Sequence, residues 1–181
     1  MLAMILPFLA FAGELDGVWR QDCRAGYSRE EAFAGAHAAY TERNFRDSAC
    51  SSLSVETISR GSISLGELVL EPSGARALDF SFESVSLRPI DEKVATLWRE
   101  RGVCGFRDWR AGVEKEVTGR YCDFFGLGSV VRVPSPGDRK FGIVVPGEGA
   151  IFLGRLSPER DGSTPERRPR ELDSEPYRKV P

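Results

Sequence analysis

Apolar and polar residues alternate most strictly at Leu78-Asp79-Phe80-Ser81-Phe82-Glu83, the period of a half-buried β-strand, and Pro89 ends the run. Upstream, Val55-Glu56-Thr57-Ile58 and residues 63–70 are rich in β-branched side chains and are split by Gly61 and Gly66, which predicts two further strands. Pro72-Ser73-Gly74 supplies turn chemistry after them. Leu15-Asp16-Gly17-Val18-Trp19-Arg20 predicts a first strand with Trp19 buried. Residues 130–133, 141–145 and 150–156 predict the last strands, separated by Pro134-Ser135-Pro136-Gly137 and Pro146-Gly147-Glu148-Gly149.

The helical period is clear only over residues 91–101. Val94, Leu97 and Trp98 fall at i, i+3 and i+4, and Gly102 follows as a stop. Residues 28–50 leave two readings open. Ser28-Arg29-Glu30-Glu31 before an alanine-rich stretch has the form of a capped helix start. Alternatively the chain turns near Ala34-Gly35 into a long strand over 37–47, with Tyr40, Glu42, Asn44 and Arg46 on one face. Residues 104–122 carry Trp109, Val113 and Val117, with Gly112 and Gly119 as bends. From Ser157 onward five of the 11 prolines mix with charges of both signs, which predicts a tail extended or disordered in isolation, with Leu172, Tyr177 and Val180 as the residues that could anchor it along the domain. Many short strands, glycine-rich turns and one short helix predict a mainly β, antiparallel barrel or sandwich.

With 181 residues the chain fits one domain with a real core. A net charge of −2 gives no electrostatic case for a nucleic-acid partner. The dense arginines Arg99, Arg101, Arg107, Arg110, Arg120 and Arg132 interleave with acids, as on a solvated mixed-charge face. Residues 1–12 read as a signal peptide: an apolar run, too short to span a membrane, ends in Ala10-Phe11-Ala12 before Gly13. Cys23, Cys50, Cys104 and Cys122 form no C-x-x-C, and the single His37 does not complete a zinc set with them. An even count in an exported chain points to disulfides. Cys23–Cys50 and Cys104–Cys122 each bracket one compact segment, and each stabilises by about 3–4 kcal/mol in the chain-entropy model.

Gly17-x-Trp19 with Cys23, then Phe45-Arg46-Asp47-x-x-Cys50, is followed much later by Cys104-Gly105-x-x-x-Trp109 and Cys122. Leu153-Gly154, Arg168-Pro169-x-x-Leu172 and Pro176-Tyr177 complete the pattern. This resembles lipocalin-like (calycin) proteins of bacterial envelopes and the extracellular domain named for the adenomatosis polyposis coli down-regulated proteins. The resemblance covers most of residues 15–180. It implies an antiparallel lipocalin-like barrel or half-barrel with an apolar cavity and one short helix, and the same two disulfides. It favours the hairpin over the helix for residues 30–48. The animal relatives are signalling inhibitors thought to sequester a lipid-modified ligand, a role that does not carry across to this chain. The resulting organisation is a signal peptide at 1–12, a calycin-like β domain at 13–156 and an extended tail at 157–181.

The expected ligand site is the barrel interior: Leu78, Phe80 and Phe82 from the alternating strand, facing Ile151 and Leu153, with Trp98 guarding the mouth. Trp98 docking its helix, Trp109 packed beside its disulfide and Trp19 closing the barrel floor are the plain structural roles. His37 has no nucleophile motif beside it and reads as a strand or surface histidine; Asp47 reads as a turn cap or arginine partner. The sequence therefore predicts an exported, monomeric, periplasmic or secreted protein. It is not an integral membrane protein or an enzyme, it takes no cofactor or metal, and it binds an apolar or lipid-like small molecule. The alternative is a cell-envelope module with a filled core and a protein partner.

Overall fold

The computed structural model describes residues 12–124 and 128–181. The leader expectation lies outside the described residues except for Ala12, where a 3-10 turn over Ala12–Glu14 begins. In chain order follow β1 (Gly17–Gln21), β2 (Tyr27–Ala34), β3 (His37–Phe45), β4 (Leu53–Leu68), β5 (Arg76–Pro89), α1 (Glu92–Arg101), β6 (Lys115–Glu116), β7 (Tyr121–Cys122), β8 (Val131–Arg132), β9 (Arg139–Gly147), β10 (Ala150–Leu153) and β11 (Tyr177–Lys179). The strands β4-β3-β2-β1-β11-β10-β9-β5 pair antiparallel in that order, and β5 pairs again with β4. Among the described residues this is a closed antiparallel barrel of eight strands with a single α-helix, the lipocalin-like class that the sequence predicts. Closure leaves none of the eight with a free edge.

Residues 27–45 form a hairpin, not a helix. Arg29 lies opposite Glu42 and Glu31 opposite Tyr40. Helix propensity loses here because both strands find partners on either side, β1 and β4. The two strands predicted before and after Gly61 are one continuous β4. Gly61 does not end the strand; it lets β4 bend against β5, where an added Cβ would lie 2.0 Å from the Ser81 carbonyl oxygen and 2.9 Å from the Phe80 ring. Across from it, Arg60 pairs with Ser84 and Gly61 with Phe82, leaving Glu83 as a bulge. The bulge changes which residues face inward, from Leu78, Phe80 and Phe82 before it to Val85 and Leu87 after it.

The interior has two packed ends. At one, Leu15, Trp19, Phe33, Val144, Ile151 and Tyr177 are each at most 5% exposed, and Trp19 donates its indole N–H to the Leu15 carbonyl at 2.6 Å. Trp19 thus closes that end of the barrel. At the other, Val85, Leu87 and Val117 pack against Trp98, Trp109 and the Cys104–Cys122 disulfide. The α1 helix is held in place by its caps. The Asp91 carboxylate accepts from the Lys93 backbone N–H at 2.8 Å, and Gly102 ends the helix in the left-handed conformation (φ 67°). Its docking face is Ala95 and Trp98, whereas Leu97, expected on that face, is 37% exposed.

The tail is ordered. Gly154 bridges to Leu172, Pro169 is buried against the barrel, and Arg168 pairs with Asp79 at 2.7 Å. The barrel does not finish at residue 156: β11, from the tail, sits between β1 and β10 and supplies the closing strand. Outside the barrel a ladder of opposite charges, Arg20–Glu30–Arg43–Glu56–Arg88, crosses five neighbouring strands, with Glu56 only 3% exposed beneath its two arginines.

Candidate functional site: a cavity inside the barrel

Between the two packed ends lies a cavity of about 410 Å³. That is within the range of small-molecule sites, roughly 300–1,000 Å³. Leu78, Phe80 and Phe82 line it, as the alternation along β5 predicts, and Leu153 lines it from β10. These four are only half-buried although they point into the barrel, because they face open space and not another side chain. Phe80 and Phe82 meet edge to face, with ring centroids 4.8 Å apart. Val131, Arg132 and Lys140 line the cavity and are exposed, so it reaches the surface beside them.

Two expected lining residues stand elsewhere. Ile151 faces inward but is fully buried in the packed end with Trp19 and Tyr177, because β10 places it two residues deeper than Leu153. Trp98 lies behind the cavity wall, 5% exposed, with its ring edge-on to Trp109 at 5.0 Å. It docks α1 and does not reach the cavity. Both disulfides join as the spacing suggests, Cys23–Cys50 and Cys104–Cys122, and Trp109 packs beside the second. His37 is exposed at the start of β3. Asp47 caps the turn before Cys50, accepting from the Ser51 and Ser52 backbone N–H groups at 3.0 and 2.9 Å; these bonds hold its carboxyl below the usual carboxylate range.

The cavity also has a polar wall that the hydrophobic pattern alone did not single out. Arg29 and Glu31 on β2, Tyr40 and Glu42 on β3, Lys140 on β9 and Tyr177 on β11 all line it. The Glu42 carboxylate accepts from the Tyr40 hydroxyl at 2.7 Å and from the Tyr27 hydroxyl. Arg29 donates to the Tyr27 oxygen at 2.7 Å and stands 3.8 Å from Glu42. Its charge also faces the Tyr177 phenol. Burial and the neighbouring Glu42 push the Tyr27 phenol up to about 12, and burial raises Tyr40 and Tyr177 too. All three phenols therefore stay protonated donors at neutral pH.

Glu31 differs from Glu42. It is 8% exposed, and among the described residues no donor lies within hydrogen-bonding distance of its carboxyl. Burial pushes its pKa well above the ordinary value, with Arg29 and Lys140 pulling the other way. Burial lowers the Lys140 ammonium. The signal for this wall is present in the chain: once a hairpin turning near Gly35 is accepted, Arg29, Glu31, Tyr40 and Glu42 fall on one face by period two.

A scan against models of protein families and a search of curated proteins both find no match for this chain. Among the described residues, no helix is long and apolar enough to cross a membrane.

Proposed function

We propose that this is an exported binding protein that holds a small, largely apolar molecule in its barrel without transforming it. The supporting observation is the half-buried state of Leu78, Phe80, Phe82 and Leu153 around a cavity of about 410 Å³. Inward aromatic surface left accessible inside a disulfide-linked barrel is surface that a ligand covers, at about 25 cal/mol per Å² of apolar area removed from water. The two disulfides support export to an oxidising compartment, periplasmic or extracellular. Kinship with the calycins, suggested by the residue pattern, belongs to the same proposal.

Native mass spectrometry of protein exported to a bacterial periplasm tests it. The expected result is an excess mass that organic extraction removes. A bare mass, unchanged after incubation with lipid extracts, overturns the reading in favour of an envelope module that engages proteins. Phe80→Ala is expected to weaken ligand binding, and to cost less stability than the roughly 3–5 kcal/mol of a phenylalanine deleted from a filled core. Denaturant unfolding of the ligand-free variant measures that cost.

A further inference from the structure

Among the described residues, one carboxyl on the cavity wall accepts no hydrogen bond, and its oxygens are open to the cavity and not sealed within the fold. Glu31 is 8% exposed, lines the cavity, and accepts no hydrogen bond among the described residues. Natural structures rarely leave a buried carboxyl unsatisfied, because its desolvation is then uncompensated. The other charges in the cavity do not share this condition. Arg29 and Glu42 are matched by each other and by the hydroxyls of Tyr27 and Tyr40, Arg132 pairs with Asp138, and Asp173 accepts from Gln21. Lys140 stands at the exposed opening of the cavity, where the surrounding protein desolvates its ammonium only in part. Glu31 also sits at a boundary. On one side are the polar groups of β2 and β3, and across the barrel, beside Lys140, is Phe80, which pairs with it in register.

We propose that Glu31 is the head-group contact of the cavity, and that the ligand is an amphiphile with an apolar body and a primary-amine head. The body lies against Phe80 and Phe82, and the ammonium bonds the Glu31 carboxylate. This rests on the binding reading above and narrows it to one chemistry. It also fixes a proton balance. The groups that face Glu31 are Arg29 from its own strand, Tyr40 and Glu42 from β3, Lys140 from β9 and Tyr177 from β11. In their presence burial keeps the free carboxyl protonated beyond its ordinary range. An arriving ammonium then pairs with the carboxylate while one proton leaves to solvent, so amine affinity rises with pH until the carboxyl is ionised without the ligand.

Isothermal titration with decylamine, decanol and decanoic acid separates the possibilities, since the three share a chain and differ in the head. Decylamine is expected to bind at least tenfold more tightly than decanol. Glu31→Gln is expected to remove that preference while leaving decanol affinity within about twofold. Repeating the decylamine titration on the unmodified protein in buffers of different ionisation enthalpy is expected to show proton release, a readout that does not depend on the variant folding. Equal affinity for amine and alcohol, a preference that survives in Glu31→Gln, or no proton release overturns the inference and leaves the cavity reading standing. Tighter binding of decanoic acid does the same, and would assign the head group to Lys140. Failure of all three to bind overturns both.

Discussion

At the scale of single residues, the barrel is most constrained where backbone or charge has nowhere to go. Gly61 is one such place. A methyl there would overlap the Ser81 carbonyl and press on the Phe80 ring, so β4 and β5 must separate or Phe80 must leave its rotamer. Gly61→Ala is expected to cost about 1–3 kcal/mol, read as a lowered denaturant midpoint with little change in slope. Glu31 is the other. Its folded pKa is raised above the ordinary 4.5 by burial, so the folded state binds its proton more tightly than the unfolded chain does. The contribution of that proton is complete below about 4.5 and is lost as pH climbs toward the folded pKa. Glu31→Gln, which cannot ionise, is therefore expected to gain stability over the unmodified protein between pH 5 and 8 and little at pH 4. Urea unfolding at those pH values checks the trend, and a gain independent of pH would contradict it.

At the scale of elements, α1 is the most local in its logic. Asp91 caps its first turn and pairs with Arg46 on the segment after β3. Asp91→Ala is expected to destabilise by about 0.5–2 kcal/mol, with the loss measurable by chemical denaturation. The helix, its Gly102 stop and the alternating core of β5 were legible in the sequence because short-range pattern determines them. For residues 28–50 the local pattern left helix and hairpin both open and only the resemblance favoured the hairpin, because the helix propensity is overruled by β1 and β4, partners that lie outside that window. The continuity of β4 through Gly61 was hidden for the same reason: a glycine that reads as a break serves a close approach of β5. Leu78, Phe80, Phe82 and Leu153 were found by period two, but periodicity alone does not tell how deep a position lies. That is why Ile151 joined the expected site and proved to be in the packed end. The polar wall needed the hairpin register, which propensity had left undecided.

At the scale of the whole molecule, the barrel is held by pairing around a ring and by two covalent ties. Thiol titration of unfolded, unreduced protein is expected to find no free thiol from Cys23, Cys50, Cys104 or Cys122; two or more reactive thiols would refute the pairing. Replacing Cys104 and Cys122 together by serine is expected to cost about 2–5 kcal/mol and to loosen the packing of Trp109, visible as a shift in its fluorescence. Deleting residues 177–181 removes β11 and exposes the edges of β1 and β10. That protein is expected to lose cooperative unfolding and to self-associate on size-exclusion chromatography, as open strand edges do.

The position of β11 also sets an order of events. The strand that seals the ring is the last to be synthesised of the eight, and it docks against β1, the first. Until residue 179 has been made, every earlier strand belongs to an open sheet whose two margins have no partner for each other. The ring's final contact thus joins residues about as far apart as the fold allows, the kind of closure that forms slowly. A chain built this way keeps its ring open until β11 itself has been made.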